Sequence, residues 1–153
     1  MVIRNKKKIR LTVQETNYDC GSAAVRMLLS YYNYNFTKKN LKKLLLTNNT
    51  GTDVINIRNF LVKELGLTIT EYQDDIKKAK EYLNKNIPLL ICYNILGMEQ
   101  YSHYALVVGY ERNKIHILNP NSDNQNQIFE TYDLKWFKYW WKQEKYWFLV
   151  IEK

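Results

Sequence analysis

The stretch HYALVVGYERNKIHILNP, residues 103–120, decides the fold. Two runs rich in β-branched and aromatic residues flank the short segment ERNK, a spacing that reads as one antiparallel hairpin. Before it lies PLLICYN (88–94), a strand buried on both faces. After it come QIFETY (127–132) and YWFLVIE (146–152), strands on either side of a short helix at DLKWFKYWWKQ (133–143). Upstream the period changes from two to 3.6: Ala24, Met27, Leu28 and Tyr31 share one helix face. Thr37 caps KKNLKKLLL. GTD leads into VINIRNFLVKELG, where Ile57, Phe60, Leu61 and Glu64 keep the helical spacing and Gly66 ends it. A short strand LTIT follows, and Asp74 or Asp75 caps a helix through IKKAKEYLN. Helices first and an antiparallel sheet afterwards make an α+β domain.

The chain has 153 residues, the size of one domain with its own core, so residues 1–153 are read as a single domain. No repeat or linker interrupts it. No run of about 18 uncharged apolar residues is present, and the basic N-terminal MVIRNKKKIR lacks an apolar segment behind it. Neither a membrane span nor a secretory signal is indicated, and a cytoplasmic location is expected. Two cysteines and two histidines fall at no zinc-ligand spacing, so no metal, cofactor or structural disulfide is expected. The 23 Lys and Arg against 15 Asp and Glu give a net charge of +8, but the lysines are scattered along helical faces and no RNA-binding signature accompanies them. A nucleic-acid partner is not expected.

A cysteine nucleophile needs a thiolate, a base, an orienting group for the base and donors for an oxyanion. Cys20 opens the first helix in VQETNYDCGSAAVRMLL (13–29), where the helix dipole and free N–H groups favour a negative sulfur, and small residues follow it. On this reading Cys20 reacts with alkylating agents well below pH 8. His103 starts a strand after the polar GMEQYS, and Asn119 ends the next one. The hairpin sets the start of its first arm beside the end of its second, so Asn119 can accept the imidazole N–H and fix its tautomer. Gln14 can donate to an oxyanion together with the Cys20 N–H. Asp19 reads as a helix cap with no catalytic part. His116 falls at an odd offset from Asn119, on the opposite sheet face. Taken singly, each residue has an ordinary structural explanation: a buried thiol, a strand-end histidine, a turn asparagine before Pro120. Their mutually consistent positions favour the joint reading.

VQETNYDCGSAA, SHYALVVGY and HILNP, in this order, resemble the motifs of the peptidase C39 family, papain-like bacteriocin-processing cysteine peptidases found at the N-terminus of peptide-exporting ABC transporters. The first motif falls on Gln14, Asp19, Cys20, Gly21 and Ala23 or Ala24, the second on His103 and Tyr104, and the third on Leu118, Asn119 and Pro120. GTDVINIRNFLVKELGL also resembles the family's central helix. The resemblance implies a papain-like fold with an N-terminal helical half packed on the sheet. It further implies peptide-bond hydrolysis by Cys20, His103 and Asn119 with Gln14 at the oxyanion. Members cut leader peptides after a double glycine, so the expected substrate is a peptide or protein, with a leader peptide as the specific candidate. The chain departs from the pattern in two ways: the family commonly has aspartate where Asn119 stands, and no transporter follows Lys153. A stand-alone domain is therefore expected, with a separate ABC transporter as possible partner. The alternative is a catalytically degenerate C39-like module that binds peptides without cutting them.

Overall fold

The computed structural model describes residues 9–95, 102–121 and 128–152. Its helices are α1 (Cys20–Tyr31), α2 (Lys38–Leu44), α3 (Val54–Asn59), α4 (Ile76–Asn84) and α5 (Leu134–Lys142). Its strands are β1 (Thr68–Tyr72), β2 (Leu89–Asn94), β3 (Ser102–Glu111), β4 (Lys114–Leu118), β5 (Phe129–Asp133) and β6 (Phe148–Glu152). They form one antiparallel sheet in the order β1-β6-β2-β3-β4-β5. The segment preceding Ser102 and the residue Gln127 lie outside the described residues. Among those described, no helix is long and apolar enough to cross a membrane.

The hairpin expected at ERNK is present, with Glu111 paired to Lys114. Arg112 and Asn113 both take positive φ, 50° and 63°, the twist that joins two right-handed strands through a two-residue turn. A bulge at Val108 shifts the register by one residue between Val107 and Gly109. It sets Val107 against Ile117 and Leu106 against Leu118. The ladder thus runs toward His103 and Asn119 at its open end.

Alternation along the strands divides the core into two layers. Leu90, Leu106, Leu118, Leu149 and Ile151 face α1, α2 and α3, whereas Leu89, Ile91, Val107, Ile117 and Phe148 face α4 and α5. The expectation of helices on the N-terminal side alone is thereby extended. α5 lies on the other face because Leu134, Phe137 and Trp141 recur at helical spacing and are buried. The strand LTIT, extended here to β1, comes from the helical half yet forms the sheet edge against the last strand β6.

The expected caps differ in how they work. Thr37 accepts from the Asn40 N–H and Asp75 from the Lys78 N–H, as side-chain caps do. The helix after GTD changes to π-helical geometry over Phe60–Glu64, with the Leu65 N–H donating to the Phe60 carbonyl. The extra residue per turn leaves Glu64 exposed and carries Leu65 onto the core. Gly66 then takes φ +65° and ends the helix.

Candidate active site

α1 begins at Cys20, which is 7% exposed and lines a cleft of about 970 Å³. Cys92, Ser102, Tyr104, Glu144 and Trp147 form one wall, and the loop around Thr50–Asp53 forms the other. The loop is held by the Tyr104 hydroxyl, which donates to the Thr52 carbonyl at 3.0 Å, and by a 2.6 Å bond between the hydroxyls of Thr47 and Thr52. Trp147 is fixed by its indole N–H on Glu71, which is itself gripped by Arg58 through two bonds of 2.5 and 2.9 Å. Gly21 is glycine because a Cβ there would meet the Thr52 Cβ at 2.8 Å and the Tyr104 ring at 3.2 Å. The small residue after Cys20 thus lets the cleft wall approach α1.

The backbone N–H groups of Tyr104, Gly21 and Cys20 converge on the Cys20 sulfur. Burial nevertheless pushes the thiol above its ordinary value of 9.0, the charge of Asp19 adds to the rise, and the amides oppose it. The expectation of a sulfur ionised at neutral pH is not met in the resting site, because desolvation outweighs the helix end.

His103 is half-buried at the start of β3 and its Nε2 lies 2.6 Å from Asn119 Oδ1. Asn119 Oδ1 also accepts from the Asn121 N–H at 2.9 Å, while Asn119 Nδ2 donates to Glu130 Oε1 at 2.7 Å. Tyr93 meets the imidazole edge-on, ring centroids 5.4 Å apart. Burial lowers the imidazole below its ordinary value of 6.5, with the Asn119 bond and the Glu130 charge acting upward. The base and its orienter therefore meet as the hairpin predicts, one residue pair diagonal from the ladder register.

Gln14 lies in the loop before α1, and its backbone N–H donates to the Pro120 carbonyl at 2.9 Å, tying that loop to the end of β4. Its side-chain Nε2 donates to the Thr16 carbonyl at 2.7 Å, and its Oε1 is buried without a hydrogen-bond partner. A carbonyl can only accept, so the Thr16 contact fixes the amide nitrogen on that side and leaves its second N–H. The Tyr104 amide brings the Cys20 sulfur against the peptide that follows His103. Among the described residues no hydrogen bond joins the sulfur to the imidazole, and the His103 ring does not line the cleft. His116 binds Thr131 and stacks on Phe129, away from this end of the sheet.

Asp19 precedes α1 but its side chain does not cap it. Its carboxylate turns back, accepting from the N–H groups of Glu15 and Thr16 and from the Thr16 hydroxyl, and pairs with Lys42 at 2.7 Å. It holds the loop that carries Gln14. Burial raises the Asp19 pKa, but the bonds from Lys42, Thr16 and Glu15 together bring it below the ordinary value of 3.8. A carboxylate depressed in the folded state contributes stability above its unfolded pKa and loses it as pH falls through the folded one. Asp19→Ala is expected to cost about 2–4 kcal/mol at neutral pH, since a nearly buried charged acceptor of several bonds is lost. Urea unfolding at pH 7 and below pH 3 checks this: the gap between variant and wild type should close at the acid end.

Three comparisons bear on this arrangement. The family model for the peptidase C39 family matches residues 8–128. The chain belongs to the peptidase C39 family. It is 25% identical over 127 residues to the lactococcin-G-processing and transport ATP-binding protein of Lactococcus lactis subsp. lactis, covering 83% of this chain and 18% of that protein. The C39 chain thus spans less than a fifth of that curated relative. Its fold matches the peptidase domain of Streptococcus ComA, a bi-functional ABC transporter involved in quorum sensing, with TM-score 0.76, 20% identity, and coverage of 95% of this chain and 99% of that one. It also matches a double glycine motif protease from an AMS/PCAT transporter in complex with the leader peptide, with TM-score 0.73, 18% identity, and coverage of 98% and 95%. The papain-like α+β fold expected for C39 is the fold observed.

Sequence reasoning missed Lys42 and Glu130, and it placed Tyr104 in the second motif without its contacts. Tyr104 lies on the α1-facing side of β3, a position that strand alternation gives once His103 is placed. Lys42 and Glu130 are reached only through tertiary neighbours.

Proposed function

We propose that this protein is a cysteine peptidase that cuts leader peptides after a double glycine. The observation that carries the reading is the bond between His103 Nε2 and Asn119 Oδ1, which leaves Nδ1 as the free ring nitrogen, in a C39 fold whose Cys20 sulfur abuts the next peptide bond. With a neutral thiol and a neutral imidazole at rest, His103 acts as a general base: Cys20 Sγ attacks the substrate carbonyl carbon while its proton passes to Nδ1. The oxyanion accepts from the Cys20 N–H and from the second N–H of Gln14. The imidazolium returns its proton to the leaving amine, the C–N bond breaks, and a thioester remains. Water, deprotonated by His103, hydrolyses the thioester and restores the thiol. The missing sulfur–imidazole bond is closed on substrate binding, as catalytic hydrogen bonds in unliganded sites commonly are.

The substrate class rests on the leader peptide held by the related double glycine motif protease and on the lactococcin-G-processing protein named above. A cytoplasmic site of action and an ABC transporter as partner are supported by the same relatives and belong to the proposal. The missing sulfur–imidazole bond and the raised thiol also favour a second reading, a module that binds leaders without cutting them. Incubating the protein with a precursor peptide containing a double-glycine leader decides between the two. Mass spectrometry should find two fragments divided after the second glycine; an intact precursor bound with micromolar affinity would favour the module.

A further inference from the structure

His103, Asn119 and Glu130 form a hydrogen-bonded row across three adjacent strands. Ile117 pairs with Glu130 across β4 and β5, so Asn119, two residues past Ile117, shares its face and lies diagonal to Glu130. We propose that Glu130 is a positioning residue for the base: its carboxylate fixes the Asn119 amide with Oδ1 toward His103 and supplies, through that amide, the negative charge that stabilises the imidazolium. The inference rests on the peptidase reading for its role in turnover, but not for its effect on His103.

The chemistry of the donors makes the row directional. A carboxylate only accepts, so Asn119 must turn its NH₂ to Glu130 at 2.7 Å. The Asn121 N–H only donates and holds Oδ1 from the other side at 2.9 Å. Both ends of the amide are therefore specified before His103 is considered, and the ring must present an N–H to Oδ1. That selects the tautomer with a proton on Nε2 and a free lone pair on Nδ1. Donation to a carboxylate also draws electron density toward Oδ1, making it a stronger acceptor. The Tyr132 side chain lies next to Glu130, two residues along the same strand.

Among the described residues, the other titratable groups beside the row are neutral at neutral pH. Cys20 from α1, Cys92 and Tyr93 from β2, and Tyr132 from β5 are all pushed upward by burial, Tyr132 to about 12. The negative charge of Glu130 raises the affinity of His103 for a proton. A carboxylate one amide away acts more weakly than one in contact, for which one to three pH units are usual; about half a unit is expected here.

Glu130→Gln keeps an oxygen for Asn119 and removes the charge. It is expected to lower kcat about tenfold with KM within about twofold, and to move the acid limb of kcat to lower pH as His103 becomes harder to protonate. The swap of Asn119→Asp with Glu130→Gln returns one carboxylate and one amide to the row and should recover most of the lost kcat. Asn119→Asp alone sets two carboxylates in contact and should do worse than the swap. The His103 titration is followed by NMR, with His116→Gln assigning the two histidines. Its midpoint should fall by about half a pH unit in Glu130→Gln and return in the swap. An unchanged midpoint and an unchanged kcat, or a loss confined to melting temperature, would overturn the proposal. Because the titration needs no turnover, a protein inert toward peptides still decides it, and that outcome counts against the peptidase reading alone.

Discussion

Cys20→Ala is expected to lower turnover of a double-glycine precursor by about four orders of magnitude or more, the loss that follows removal of a nucleophile. Peptide binding should stay within about twofold. The substitution removes only a sulfur from a residue that is 7% exposed, and the Gly21, Thr52 and Tyr104 contacts that shape the cleft do not pass through it. The measurement pairs a single-turnover assay with calorimetric titration of the same precursor. Unchanged cleavage would remove Cys20 from the reaction. Cys92 lines the same cleft, but burial drives its thiol well above the ordinary value, and Cys92→Ala should retain activity.

His103→Ala is the second large effect, about a thousandfold in kcat, within the range that general acid–base catalysis contributes. The pH dependence has a definite sign. Burial, opposed by Asn119 and Glu130, sets the imidazole below 6.5. The neutral base therefore persists to lower pH than in an ordinary histidine, and activity declines only below that point. On the alkaline side the thiol lies above its usual 9.0, so rates hold through neutral pH. The residual activity of His103→Ala should lack the acid limb. A variant that keeps the limb would assign it to another group.

How much of this was legible depends on the distance over which each contact is specified. The hairpin brings His103 and Asn119 together through a two-residue turn, so the pair was legible from the hairpin alone, although the ladder register sets Asn119 opposite Ala105 and His103 two residues along, on the diagonal. The Thr37 cap is local and was read directly, and of the two candidates Asp74 and Asp75 it is Asp75 that caps α4. Asp19 was misread because a carboxylate before a helix has two uses, and Lys42, 23 positions away on another helix, selects the second. Glu130 was invisible for a like reason: the β4–β5 pairing follows a longer connection whose register periodicity does not set. The two-faced packing escaped because alternation marks a strand as buried on both sides without naming which helix covers each. Charge at Cys20 was also misjudged, since a helix N-terminus can be read from sequence but the depth of burial cannot.

The claim that Cys20 is a nucleophile served by His103 is tested most directly by an affinity label, a leader peptide ending in a Gly-Gly chloromethyl ketone. Peptide mapping after reaction at pH 7 should place the label on Cys20, with the rate about a hundredfold or more slower in His103→Ala. Label on Cys92, or a rate on Cys20 that does not change when His103 is removed, would contradict it.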